Sequence, residues 1–192
     1  MLELEEQVIG HRRFSNQVCV SDPCYERGTW CGVYDLDIKE GVYECRAIVG
    51  EWNDWDERVW RLTTTHEHEK VTKWKFDTNL GVDAAMMSII CNKYYDDERP
   101  DALSDYKVNA GQTGHGFYSN TGLGDGSYAL FCGHNEKDEI VALSVIFLYP
   151  DGVEESVADE DGMYSFSNEE TVEILSKYAH CSVEQYIPTK QA

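Results

Sequence analysis

Residues 140–148, IVALSVIFL, form an almost unbroken apolar run, far short of the ~18 residues that cross a bilayer and rich in β-branched side chains. A run of that kind suits a strand covered on both faces, which confines it to the middle of a sheet. Just before it stand the apolar residues 128–132, YALFC, and the turn-rich GHNEKD at 133–138. Together they predict a central antiparallel hairpin. Further β-branched or aromatic runs at 17–21, 42–49, 58–68 and 71–76, separated by Gly, Asn and Asp clusters, predict more strands. Residues 81–91 read either way: Ala84, Ala85, Met86 and Met87 suit a helix, whereas Ser88, Ile89, Ile90 and Cys91 suit a strand. Residues 100–106 could make one helical turn. At 167–170, Ser167 with Glu170 three residues on forms a capping box, and Val172, Leu175, Tyr178 and Ala179 fall on one face of a helix over 167–181 that would pack on the sheet.

These readings give a mainly β chain, an antiparallel β-sandwich or strongly curved sheet with a C-terminal α-helix, with α+β as the alternative. The expected organisation is one domain over 1–192: a core over 17–149, an acidic loop over 151–166 and the helix over 167–181. No internal repeat or Ser- or Pro-rich linker divides the chain.

Charge narrows the function classes. The 192 residues carry 36 Asp plus Glu against 16 Lys plus Arg, a formal net charge of −20. That field repels phosphate backbones and anionic membranes and favours cationic partners. Direct nucleic-acid binding and membrane binding are therefore not expected. The aromatic content, 12%, argues for a folded chain in spite of the acidity. Seven cysteines without a C-x-x-C spacing make a poor disulfide framework and a poor zinc site, and most lie in strand-like apolar contexts. With no basic-then-apolar leader at residues 1–14, the expectation is a reduced, cytoplasmic protein without cofactors.

Three places invite a functional reading. The loop at 119–128, SNTGLGDGSY, alternates Gly122, Gly124 and Gly126 around Asp125 before Tyr128. Its glycines allow positive φ and its Asp can bond the backbone of its own turn, so it reads first as a turn feeding a strand and second as a cradle for a ligand or cation. It lacks the Lys and the following helix of a phosphate loop, and the ligand spacing of an EF-hand. The segment S-D-P-C-Y at 21–25 reads as a strand ending in a turn, where Asp22 satisfies local amides while Cys24, Tyr25 and Trp30 anchor a loop. In its sharper form, Asp22, Cys24, Asp83 and Asp125 converge at one end of the sheet. A thiolate there would be opposed by the surrounding carboxylates, which counts against cysteine catalysis. His66 and His68 form the chain's H-x-H; on a strand both would face one side and could share a metal, although no carboxylate follows at a cupin-like spacing and a solvent-facing pair is the plainer reading. Trp52, Trp55 and Trp60, interleaved with Asp54, Asp56 and Glu57, read as a loop pinned to the core or as aromatic anchors rimmed by anions. The stretch holding Asp151, Glu154, Glu155, Asp159, Glu160 and Asp161 carries no Lys or Arg and reads as a solvated acidic surface.

Val20-Ser21-Asp22-Pro23-Cys24-Tyr25, then Gly28-Thr29-Trp30-Cys31, Gly81-Val82-Asp83 and Ser119 through Tyr128, taken in this order, resemble an uncharacterised family of phage and bacterial proteins related to the domain of unknown function 4241. The resemblance spans roughly residues 18–149 and carries no assigned activity. After G-V-D the family places a small polar residue and a glycine, often followed by Gln, where this chain has Ala84, Ala85 and Met86. From charge and resemblance together, the expected function is a non-enzymatic acidic interaction protein, a phage or mobile-element accessory factor that blocks a basic, nucleic-acid-binding host protein by imitating the field of DNA. Two alternatives stand beside it: a metal- or small-ligand-binding enzyme or sensor using Asp22, Asp83 and Asp125, and an immunity-like protein that neutralises a toxin.

Overall fold

The computed structural model describes residues 4–29, 31–52, 55–100 and 110–148. Two antiparallel sheets face each other. The first has six strands in the order β1 (Leu4–Phe14), β4 (Gly41–Trp52), β5 (Trp55–His66), β11 (Ile140–Ile146), β10 (Gly126–His134) and β6 (Lys73–Val82). The second has five, β3 (Tyr34–Asp37), β2 (Gln17–Ser21), β7 (Met86–Cys91), β9 (Gly116–Asn120) and β8 (Ala110–Thr113). The fold is thus mainly β, with one short helix among the described residues. The expected hairpin is β10–β11, paired from Ala129↔Ile146 to His134↔Ile140, and it lies inside the larger sheet.

Alternation of side chains builds the core between the sheets. In β4, Tyr43, Cys45, Ala47 and Val49 point inward, joined by Leu130 and Cys132 of β10 and by Leu143 and Val145 of β11. From the smaller sheet Val18, Val20, Met87, Ile89 and Phe117 meet them. Phe14, Tyr43 and Phe117 bridge the sheets, with Phe14 5.2 Å from the Tyr43 ring and 5.9 Å from that of Phe117. Strands β2 and β7 are buried along nearly their whole length because their second face is also covered. A 3-10 turn (Asn92–Tyr94) and helix α1 (Tyr95–Glu98) set Tyr95 there, against Cys19 and Ile90. The Tyr95 hydroxyl accepts a hydrogen bond from Ser21 Oγ (2.9 Å) and donates to the Tyr25 carbonyl (2.9 Å), tying this turn to the loop after β2. On the larger sheet, Ala129, Phe131, Ser144 and Ile146 alternate away from the sandwich interior and are buried as well.

The ambiguous stretch 81–91 is strand on both sides of a tight turn. β6 ends at Val82, β7 begins at Met86, and Ala85 between them has φ of 53°, which breaks any helix through the two alanines. β1 was not legible as a strand. It is an edge whose residues mix both charges, and its bulge between Val8 and Gly10 interrupts the alternation. Gly10 lets the edge close on the smaller sheet, since a Cβ there would stand 2.3 Å from Gln112 Oε1, and Arg12 Nε donates to the Thr113 carbonyl nearby (2.6 Å). All but Pro100 of the helical turn expected at 100–106, and the whole of the acidic loop at 151–166 and of the helix at 167–181, lie outside the described residues. Among the described residues no helix is long and apolar enough to cross a membrane.

Candidate functional site at the glycine-loop end of the sandwich

Register decides which residues meet. Gly126 pairs with Val82, Met86 with Asn120, and Ser21 with Ser88, so the loops after β2, β6 and β9 emerge at the same end. Asp22, Cys24, Tyr25, Asp83, Gly124, Asp125, Gly126 and Tyr128 therefore gather there, as the sharper sequence reading supposed.

The chemistry of the gathered groups is structural. Asp22 is fully buried and accepts three backbone amides: Cys24 N at its Oδ1 (3.0 Å), and Asp83 N (3.0 Å) and Ala84 N (2.7 Å) at its Oδ2. A carboxylate is the side chain suited to three converging N–H groups, because ionised it offers acceptors only. Asp125 Oδ1 likewise accepts Ala85 N (3.1 Å). The exposed Asp83 carboxylate accepts the Tyr25 hydroxyl, and that bond, followed by desolvation and by the charges of Asp83, Cys31 and Asp22, pushes the Tyr25 phenol up to about 12. Burial, reinforced by Asp22, Asp83 and Asp125, pushes the Cys31 thiol up to about 11. Cys24 is half-buried with its Sγ 3.8 Å from Met86 Sδ. At neutral pH the Cys31 sulfur is a thiol, not a nucleophilic thiolate.

The glycine loop closes on itself. Gly124 N donates to the Thr121 carbonyl (2.7 Å), Thr121 Oγ1 returns the bond to the Gly124 carbonyl (2.6 Å), and Tyr128 Oη donates to the Gly124 (2.7 Å) and Thr121 (3.2 Å) carbonyls. Gly122 has φ of 44° and lies so close to Leu148 that a Cβ would stand 2.9 Å from its Cγ. A turn is what these contacts build. Its outer side is nevertheless one wall of a cleft of about 320 Å³, opposite Arg58 and Val59 of β5 and beside Ala85. Leu123 at the loop tip is 55% exposed, and Val8 is the other large aliphatic side chain that exposed among the described residues. Asp56, Glu57, Asp83 and Asp125 are exposed at the same end.

The remaining candidates stand elsewhere or serve packing. β5 stops at His66, so His66 and His68 are not paired on a strand face, although their rings lie 6.2 Å apart, edge to face. His66 Nδ1 accepts the His68 amide (3.1 Å), which leaves Nε2 to donate to the Glu40 carbonyl (3.3 Å). Trp52 is half-buried, edge-on to the buried Trp60 at 5.1 Å. The side chains of Trp30 and Trp55, and Asp151, Glu154, Glu155, Asp159, Glu160 and Asp161, lie outside the described residues. Among the described residues no three His, Cys, Asp or Glu side chains gather so as to hold a metal ion.

Two polar clusters were not anticipated. Glu98 Oε1 meets His115 Nδ1 (2.5 Å), its Oε2 accepts His115 N (2.6 Å) and Thr113 Oγ1 (3.1 Å), and the imidazole stacks on Tyr94 at 3.6 Å. At the far end of the sandwich, Lys39 Nζ lies between Glu139 (2.8 Å) and Glu69 (3.3 Å), while Asn135 Nδ2 donates to both carboxylates. Each cluster depends on a partner distant in sequence, Glu98 from His115 by 17 residues and Lys39 from Glu139 by 100, so local spacing did not reveal it.

Comparison with models of known protein families, with curated proteins and with solved structures returns no match to this chain.

Proposed function

We propose that this is a non-enzymatic acidic binding protein, a phage or mobile-element accessory factor that occupies the basic surface of a nucleic-acid-binding host protein. One observation carries the reading: of the aspartates that sequence reasoning offered to chemistry, Asp22 accepts three backbone amides and Asp125 one, while the Asp83 carboxylate accepts the Tyr25 hydroxyl. What remains for recognition is charge: the chain as a whole carries a formal net charge of −20. Kinship with the family related to the domain of unknown function 4241 is part of this proposal. It gains support at Ala85, whose left-handed backbone falls where that family places its glycine.

The test is competition. A basic DNA-binding protein retained by the immobilised chain at about 50 mM salt should be displaced by duplex DNA and lost steeply by about 200 mM, as expected when ion pairs dominate. Retention of no basic protein at low salt, or retention indifferent to salt and DNA, would overturn the proposal.

A further inference from the structure

We infer that the docking point for such a partner is the cleft beside Leu123, and that its occupant is an extended Lys- or Arg-bearing segment carrying an aliphatic side chain. This rests on the proposed function and adds to it a place and a ligand chemistry.

Three features converge at this end of the molecule. The cleft, about 320 Å³, is at the bottom of the range for small-molecule pockets and matches the scale of a long side chain rather than that of a cofactor. Its walls are apolar where Val59, Ala85 and Leu123 form them, so the stem of a lysine or arginine, or a leucine, would bury surface there. Next to its lining residues in the chain come the exposed Asp56 and Glu57 before Arg58, Asp83 two residues before Ala85, and Asp125 after Gly124.

Leu123 is one of two large aliphatic side chains left 55% exposed among the described residues, and it is the one that lines this cleft. At the tip of a loop fixed by the bonds among Thr121, Gly124 and Tyr128, it is presented with little ordering left to do on binding, the property that raises affinity for a given contact area. The surrounding charge selects among occupants. A second copy of this chain would bring another −20, and nucleic acid would bring phosphates, so like charges would meet in both cases. A basic segment is complementary. A segment that alternates basic and aliphatic residues can set its apolar side chains against Val59, Ala85 and Leu123 while its charges face the acidic surroundings.

The experiment titrates the isotopically labelled full chain with two capped hexapeptides of equal charge at low salt, one alternating Lys with Leu and the other Lys with Gly. The expected result is amide shifts concentrated on residues 83–85 and 121–126, with the Lys/Leu peptide bound about five- to tenfold more tightly, the scale of one partly buried leucine. Leu123→Ser should abolish that preference while leaving the weaker electrostatic binding. Asp83→Asn should weaken both peptides, and Glu136→Gln, in the exposed turn at the far end, neither. Binding of both peptides with shifts spread over other acidic surfaces, or a preference that survives Leu123→Ser, overturns the placement and leaves the acidic binding function standing. No binding of either peptide overturns both.

Discussion

Asp22 offers the sharpest test of how this end of the molecule is held. Replacing it by Asn preserves volume and one acceptor. If the amide oxygen takes the place of Oδ2, it still serves Asp83 N and Ala84 N, and the new NH₂ then faces Cys24 N across 3.0 Å, donor against donor. The opposite rotamer sets the NH₂ against two amides and is worse. One lost bond, the unsatisfied donors and the loss of charge assistance on the other two bonds sum to about 2–3 kcal/mol. Asp22→Ala strands all three amides, for roughly 4 kcal/mol. In a chain of this size each kcal/mol lowers Tm by about 2–4 °C, so Asn should cost about 4–12 °C and Ala more. Urea unfolding with an unchanged m-value is the assay. If Asp22→Asn lies within about 0.5 kcal/mol of the parent, or Asp22→Ala is no worse than Asp22→Asn, the carboxylate does not organise these loops and the argument against its catalytic use loses its footing.

Ala85→Gly should stabilise the fold. The left-handed backbone costs a Cβ-bearing residue about 1–2 kcal/mol, and the extra unfolded-state freedom of Gly returns about 0.4–1 of it, for a net gain near 0.5–1 kcal/mol, readable as a raised denaturation midpoint. Gly114→Ala should act oppositely, since its Cβ would stand 2.8 Å from Glu98 Oε1. Burial acts to raise the Glu98 carboxyl, and the bonds from the His115 ring, its amide and Thr113 outweigh burial to hold it low. Displacement should therefore raise its NMR titration midpoint, along with a loss of about 1–2 kcal/mol. Hydrogen bonds from Lys73 and then Lys75 hold Asp138 down to about 2. A depressed carboxylate contributes stability above its unfolded value of about 4 and loses it as pH falls through about 2, so the double variant Lys73→Ala, Lys75→Ala should move the Asp138 midpoint upward and remove its share of the acid sensitivity in that window.

How much of this was legible in the sequence depended on the range of the signal. The β10–β11 hairpin was readable because its apolar run and its turn residues are contiguous, and the packing of both faces only reinforces what the run already requires. The Asp22 turn was readable for a similar reason: Pro23 excludes helix from the preceding residue, and Asp in that position bonds the amide two residues on, here Cys24 N. Its more important partners, Asp83 and Ala84, come from 61 and 62 residues away, and only the register of β6 against β10 and of β2 against β7 brings them into reach. His66 shows the converse. An H-x-H on a strand is a same-face pair only while the strand lasts, and whether it lasts two residues more is decided by its partners, not by the histidines. Tyr43 pairs with His66, after which the Glu67 amide turns to the Val42 carbonyl and the strand is over. Local chemistry thus told which groups could act, whereas the register of distant strands told what they are occupied with. Asp22 falls on the occupied side, and Leu123, which no motif singled out, stands on the other.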